Sequence, residues 1–553
     1  MSKCIRHWHD GLSLLLVTIL MLVPVSLLSA RQQDFVVPLE TLPGPNLDVD
    51  WLEIERLHSA LGRDLVWHRD GLITEQGAAL YRWLSGADAE GLAVADYHVP
   101  ELRVLMGEGA DELQLQRELL LTDGYLRLAR DLRSGRYDPQ QVDPLWQLPK
   151  DRFDPVTALA DALTRGDLNE LLASLSPRHP GYLRLRQALA RYHSFQSAGG
   201  WQTLKIDDSL RPATRRTAVI PLRERLAAEG VPVGWPTGDA AFYDEQLVSA
   251  VKAFQRRMGL EDDGVIGRET LQALNVPVET RIEQIRAGME RWRWLPSELE
   301  PEYLMVNSAG FEIELMDQAQ TLFHKRTVNG REERQTPSFR SRVTHLVANP
   351  QWTVPRTIAV QDLLPKQQAN GDFLHDRQIR VYRQSAGALV EVDPASLDWS
   401  VYHTDNFPFV LRQDAGGENS LGHVKFHMPN PYDIYLHDTP SRGLFGRQNR
   451  AFSSGCVRVE DADQLAELLV TRAGHGEEGR FHKAMQRGET LTVALAEPMP
   501  VYLAYFTSWV DEAGEIHFRP DIYRRDTNLL LALAGGGRYL TAQQAVGKGA
   551  NPL

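Results

Sequence analysis

Tyr435-Leu-His-Asp-Thr-Pro440, then a turn-rich loop, then Ser453-Ser454-Gly455-Cys456-Val457-Arg458: the rest of the 553 residues is organised around this stretch. Alternation over Tyr432 to His437 predicts a short strand with Ile434 and Leu436 on one face and Asp433, Tyr435 and His437 on the other, so His437 is expected to point away from the core. Pro440, Gly443, Gly446 and Asn449 punctuate a loop long enough to fold back and carry the Cys456 thiol to the imidazole. Behind it, Asp461 with Gln464 reads as a capping-box-like start, and Leu465, Leu468 and Leu469 form the apolar face of a helix. The partial positive charge of that helix N-terminus is expected to lower the thiol pKa, with His437 as base and Arg458 as a fixed cation.

A lone cysteine is ordinarily a small buried hydrophobe. Here only Cys4 and Cys456 exist. Cys4 precedes an apolar run from Leu12 to Leu28 that follows Lys3 and Arg6 and ends at Ser29-Ala30, the pattern of an export signal. Leu28 is a poor residue three before such a cut and the apolar run is long, so two readings stay open: a cleaved signal or a retained inner-membrane anchor. With that segment removed, Cys456 is the sole thiol of an exported protein, which reactivity explains better than packing.

The pattern of His437 and Ser453-Ser454-Gly455-Cys456-Val457-Arg458 resembles the signature of the L,D-transpeptidase catalytic domain (YkuD type), and the wider chain resembles its large, periplasmic, YcbB-like subgroup. The match extends upstream through Thr336-Pro337, Asn349-Pro350-Gln351-Trp352-Thr353-Val354-Pro355 and Asn419-Ser420-Leu421-Gly422. Ser454 and Arg458 stand where many members have His and Asn, which reads as a subtype.

The resemblance implies acyl transfer through a Cys456 thioester. The donor would be a peptidoglycan tetrapeptide stem cut between diaminopimelate and D-Ala, and an amine of a neighbouring stem would resolve the thioester into a 3-3 cross-link. His437 would be the base, oriented by the main-chain carbonyl of Asp438. Main-chain N–H groups around Gly455 and Cys456 would meet the oxyanion. Tyr435, which shares the face of His437, and Trp352 are expected to line the substrate pocket, together with Ser453, Ser454 and Arg458. Arg458 has the alternative of tying the loop to Glu460 or Asp461. Acylation of Cys456 by a carbapenem is a further implication.

The fold class expected is multidomain α+β: residues 1–30 signal or anchor, 31–212 an α-helical scaffold, 217–276 a small three-helix peptidoglycan-binding-type domain, 281–500 a mostly β catalytic domain with a capping insertion at 361–406, and 501–553 a C-terminal hairpin and tail. Within the scaffold, Leu115, Leu119, Thr122, Leu126 and Ala129 recur at helical spacing ahead of Gly135, and Asp154-Pro155 opens another helix. In the small domain Asp244 caps a helix bearing Leu247, Val251 and Phe254, and Gly259 and Asp263-Gly264 mark turns. Phe254-Gln255 with Gly259-Leu260 and Asp263 to Gly267 resembles the peptidoglycan-binding module, with glycan binding left open. Tyr303 to Val306 and Phe311 to Leu315 flank a hairpin signal, further β segments run to Val360, a break from Leu363 to Asn406 precedes a strand at Phe409 to Leu411, and Thr492 to Leu495, Val501 to Val510 and Glu515 to Phe518 read as strands, the last two joined by Asp511 to Gly514.

A net charge of −13 excludes a general nucleic-acid binder. Composition, at 43% hydrophobic and 24% charged, is that of an ordinary globular chain. No phosphate loop, serine elbow or metal-ligand spacing occurs, and His423 and His427 alone do not make a metal site, so neither metal nor cofactor is expected. Expected partners are wall stem peptides, with D,D-carboxypeptidase and glycan polymerase proteins as suppliers, in a Gram-negative periplasm. The same site would serve an L,D-carboxypeptidase or lipoprotein attachment. A sortase-like enzyme places its histidine farther upstream, a papain-like protease puts Cys before His, and an idle wall-binding scaffold would not need the His437 and Cys456 pair.

Overall fold

The computed structural model describes residues 48–534 apart from 63–64, 108–112, 235–237, 319, 386 and 474–475. The apolar N-terminal run, Cys4 and the tail from Thr541 lie outside the described residues, and no described helix is long and apolar enough to cross a membrane.

Helices come first. Gln114–Ser134 runs through the middle of the scaffold, buried on nearly every side, because leucines at helical spacing are joined by Glu118, Asp123 and Asp131, each with a partner. Glu118 accepts from the Trp67 N–H at 2.9 Å and pairs with His68, which opens the hairpin β1 (His68–Arg69) and β2 (Leu72–Ile73). Gly135 ends the helix at φ 75, and a Cβ there would run into the Trp294 ring. Asp154 caps Pro155–Arg165, accepting from Val156 N and Thr157 N as expected of Asp-Pro at a helix start.

The next unit holds Val219–Ala228, Glu245–Arg257 and Arg268–Leu274. Asp244 caps the middle helix through Leu247 N, burying Leu247, Val251 and Phe254. Its core is shared with Tyr182 and Tyr192 of the scaffold helix Pro180–Ser197, and with Val510, Ile516 and Phe518 near the C-terminus. Helix Val278–Arg293 then leads to the β domain.

That domain is built from β3 (Glu302–Asn307), β4 (Glu312–Asp317), β5 (Gln320–Gly330), β6 (Phe339–Ala348), β7 (Trp352–Thr353), β8 (Ile379–Ser385), β9 (Ala388–Val392), β10 (Phe409–Gln413), β11 (Val424–His427), β12 (Leu436–His437), β13 (Ala451–Ser453), β14 (Val457–Val459) and β15 (Leu491–Ala504). One sheet runs β13-β5-β14-β12-β11-β6-β15-β3-β4, and pairing of β4 with β5 closes it on itself. Closure removes the exposed edges that a mostly antiparallel sheet would otherwise present. Its interior is aliphatic, with Leu304, Val306, Ile313, Leu346, Phe426, Leu436 and Val457 among the buried side chains, and Ala462–Ala473 packs against it.

Four expectations change. The strand at 432–437 shrinks to β12, because Asp433 takes φ 54 and the Asn430 side chain binds the backbone at 432 and 434. The strand expected at 492–495 runs on into the first part of the one expected at 501–510 as β15, which ends at Ala504, so the seam placed at 500 falls inside a strand and 508–510 is a separate strand. Pro498 and Pro500 are accommodated because the pairing with β6 shifts register between Ala494 and Met499. Val360 lies in a helical turn, Ala359–Leu363, instead of a strand. The insertion contains order of its own: β7-β10-β8-β9 form a second sheet whose core includes Trp352, Val354, Trp399, Phe409 and Leu421. The C-terminal hairpin, β16 (Ser508–Val510) with β17 (Ile516–Phe518), follows expectation, and helix Arg525–Ala534 comes after it.

Candidate active site

Register across three strands aligns the side chains. Leu436 stands opposite Val457 and Phe426, all in the core. On the alternate face His437 stands opposite Arg458 of β14 and Lys425 of β11. Cys456, two residues before Arg458, shares that face and lies diagonally from His437, within the reach that diagonal neighbours on one face have. Val457 N donates to Tyr435 O at 3.2 Å, drawing Cys456 alongside Tyr435.

His437 does face away from the hydrophobic core, yet it is only 4% exposed, so the outward-facing histidine is covered. Its Nδ1 lies 2.5 Å from the carbonyl of Asp438. A carbonyl only accepts, so Nδ1 carries the proton and Nε2 is left with a lone pair. Burial, then the cations Arg458 and Lys425, push the imidazole down to about 3. The Asp438 carboxylate is spent elsewhere: it accepts from His423 N at 2.9 Å and meets Arg442 at 3.2 Å. Gly422, at φ 61, sits so close that a Cβ would strike this carboxylate.

The thiol departs from expectation. Cys456 is half-buried, and enough protein surrounds its sulfur for desolvation to push the thiol up to about 11, although Tyr435, Lys425 and Arg458 all act in the opposite direction. The helix that was to lower it starts at Ala462, after β14. Asp461 does not cap that helix as a capping box would; it takes φ 51 and its carboxylate meets Lys325 at 2.5 Å. The resting pair is a neutral thiol and a neutral imidazole.

The loop ahead of the sulfur is held from within. Gly455 has φ 117, a conformation for glycine. Its N–H donates to Ser453 Oγ at 3.1 Å, Ser453 Oγ–H donates to Cys456 O at 2.5 Å, and Thr336 Oγ1 donates to Gly455 O at 2.9 Å. The buried Ser453 hydroxyl therefore braces the loop, its proton committed to Cys456 O, and of the two expected oxyanion donors the Gly455 N–H is already engaged. Cys456 N–H is the one that Ser453 does not occupy. Ser454 Oγ accepts from Arg334 Nη1 at 2.9 Å, and Arg334 also pairs with Asp362 of the inserted segment at 2.6 Å. Trp352 Nε1 donates to Tyr435 Oη at 3.1 Å, the Tyr435 ring lies 5.7 Å from the His437 ring, and the Cys456 thiol donates to the Asp433 carbonyl at 3.8 Å.

Arg458 does not tie the loop to acids. Glu460 is taken by Arg326 and Asp461 by Lys325, and among the described residues no carboxylate pairs with Arg458, whose Nε is buried without a partner. Lys425 was not picked out from the sequence. Its ammonium lies 4.1 Å from the centre of the Tyr435 ring, and only the pairing of β11 with β12 discloses it. His427 stacks on His345 at 4.4 Å and His423 Nδ1 lies 3.4 Å from Asn349 Oδ1. Among the described residues no group of three or more His, Cys, Asp or Glu is arranged to hold a metal.

Comparison with known proteins bears on this geometry. Residues 53–189 match a scaffold domain, 215–274 a putative peptidoglycan binding domain and 301–480 the L,D-transpeptidase catalytic domain. A putative L,D-transpeptidase of Haemophilus influenzae is 36% identical over 271 residues, covering 48% of this chain and 53% of that protein, so the chain spans about half the length of this curated relative. L,D-transpeptidase structures from Xylanimonas cellulosilytica and Stackebrandtia nassauensis align with 54% of this chain at 13% and 12% identity, covering 98% and 95% of their own chains with TM-scores of 0.16 and 0.21. Residues 301–480 belong to the L,D-transpeptidase catalytic-domain family, in a chain that also carries a scaffold domain and a peptidoglycan-binding-type module.

Proposed function

We propose that the chain is an L,D-transpeptidase of the bacterial envelope that forms 3-3 peptidoglycan cross-links through a Cys456 thioester. The observation that carries this reading is the alignment of Cys456, His437, Arg458, Lys425 and Tyr435 on one face, with His437 Nδ1 committed to the Asp438 carbonyl and Nε2 free to accept.

With both partners neutral at rest, proton transfer accompanies attack. Nε2 takes the Sγ proton as sulfur bonds to the carbonyl carbon between diaminopimelate and D-Ala. Lys425 and Arg458 stabilise the developing negative charge on sulfur, and the imidazolium returns the proton to the departing D-Ala amine. The Cys456 N–H is aimed at the oxyanion, a contribution of about 3 kcal/mol for one such donor. An amine of a second stem then attacks the thioester, gives its proton to His437, and releases the thiol.

Incubation of the protein with disaccharide-tetrapeptide, read by mass spectrometry, tests the reading. Cross-linked dimer with loss of D-Ala is expected. Loss of D-Ala without dimer would assign an L,D-carboxypeptidase instead, and turnover by Cys456→Ala would remove the nucleophile from the scheme.

A further inference from the structure

A cavity of about 900 Å³ lies against the loop that leads into Cys456, and its two walls come from different parts of the chain. One wall is Phe311, Arg326, residues 445–450 and Phe452; the other is Arg256, residues 259–262 and Glu269 of the small helical module. The walls are tied together at Gln448. Oriented to satisfy both its atoms, that amide donates to Glu269 Oε2 at 3.0 Å and accepts from Glu261 N at 2.6 Å.

Charge in the cavity is unevenly partnered. Arg256 has Asp262 at 3.1 Å, and Arg326 has Glu460. Arg450, by contrast, donates only to carbonyls, those of Thr327 at 3.1 Å, Arg447 at 2.9 Å, Phe311 at 3.1 Å and Gly310 at 3.5 Å. Arg519 likewise donates to the carbonyls of Arg257 and Phe518, both at 2.9 Å. Among the described residues no carboxylate forms an ion pair with Arg447, Arg450 or Arg519. Burial, then the neighbouring cations Arg519 and Arg326, hold Arg450 down to about 10, although Glu312 and Glu460, whose own ion pairs are with His324 and Arg326, act the other way. Glycine at 259, with φ 69, is what admits Arg519, since a Cβ there would lie 2.5 Å from its Nε. A partly buried guanidinium without a counter-ion is costly, and its planar fork matches a carboxylate. The facing wall is opposite in sign, with Glu261 and Glu269.

We propose that this cleft is a subsite for a wall stem peptide, seating free carboxylates on Arg447, Arg450 and Arg519 and turning the peptide's amine toward Glu261 and Glu269. The identity of the ligand rests on the transpeptidase reading above; the anion preference rests on the cleft itself. A stem held there lies along β13, whose last residue is three before Cys456.

The test uses the full chain as Cys456→Ala, so that the probe is not consumed. It is titrated calorimetrically with disaccharide-tetrapeptide and with the same compound amidated at its carboxylates, at two salt concentrations. Amidation is expected to weaken binding about tenfold or more, and Arg447→Gln with Arg519→Gln is expected to erase that difference and flatten the salt dependence. Arg447 is exposed, so Arg447→Gln alone, with a partial loss expected, serves where the double variant melts early. Equal binding of both probes, or a difference undiminished in the variant that is measured, overturns the subsite. Turnover of the same probe by the unsubstituted chain is read separately. A chain that turns it over without the Arg-dependent preference loses only the subsite, and one that shows the preference without turnover loses only the reaction.

Discussion

At Cys456 the Tyr435 main chain and then the cations Lys425 and Arg458 pull the thiol toward ionisation and burial outweighs them, so small changes in charge should be readable in its reactivity. Lys425→Met keeps the stem and removes the charge. The thiol pKa should rise by about one unit, and alkylation of Cys456 by iodoacetamide at pH 7 should slow roughly tenfold. A rate within twofold of the parent would remove Lys425 from the site. His437 supplies a pH signature of stability. Its folded imidazole stays neutral down to about 3, while the unfolded one protonates near 6.5. Between those values the unfolded state binds the additional proton, so stability falls as pH drops from 6.5 toward 3, by at most about 1.4 kcal/mol per unit. The thiol acts at the other end. Raised from 9.0 to about 11, it retains in the folded state a proton that the unfolded chain releases, and stability declines as pH rises across that interval. Urea midpoints of the parent and of His437→Gln between pH 4.5 and 6.5 should show a shallower slope in the variant. A motif and a cysteine count are what single out Cys456 and His437 in the sequence, and their placement on one face follows from strand register. The direction of the thiol shift is not legible in the sequence, since desolvation depends on how many atoms surround the sulfur.

Elements declare themselves in sequence when their signals are local. Asp154-Pro155 and Asp244 are caps that bind N–H groups two or three residues on, and both helices start where those residues predict. The hairpin β3 to β4 is legible for the same reason, through its turn and alternation. Failures cluster where the deciding contact is remote. The bulge that lets β15 carry Pro498 and Pro500 needs β6 as its partner, and Asp461 forgoes capping because Lys325, more than a hundred residues earlier in the chain, takes its carboxylate. The inserted segment is a further case, since its second sheet recruits Trp352 from ahead of the break. The turn Ala359–Leu363 is fastened to the active-site loop through Asp362, which meets Arg334 at 2.6 Å and Arg331 at 3.2 Å while Arg334 holds Ser454. Asp362→Asn should cost that segment about 1 kcal/mol of local stability, the value of a partly exposed pair at its upper end. Amide hydrogen exchange over residues 359–369 should then quicken roughly fivefold relative to β8 and β10. Unchanged exchange would mean that the pair does not restrain the segment.

For the molecule as a whole, the boundaries suggested by composition hide how far the parts share cores. The small helical module buries residues together with the scaffold helix Pro180–Ser197 and the hairpin β16–β17, so it is braced on two sides. A second junction runs from scaffold to sulfur. Asp143 lies 3.8 Å from Arg525, Arg525 Nη2 donates to Thr336 O at 2.9 Å, and Thr336 Oγ1 donates to Gly455 O at 2.9 Å. Asp143 and Arg525 are both buried, and neither could be matched from sequence across almost four hundred residues. Arg525→Met leaves the Asp143 carboxylate buried without its cation, which should cost about 3 kcal/mol and lower the melting temperature. It also releases the carbonyl of Thr336, so the Gly455 carbonyl loses its fixed donor and iodoacetamide labelling of Cys456 should change in rate. Adding Asp143→Asn to Arg525→Met removes the orphaned charge, so melting should recover in part while labelling does not. Recovery of both together would reduce this junction to a stabilising pair, whereas recovery of melting alone would make the helical scaffold a support that sets the geometry of the reactive loop.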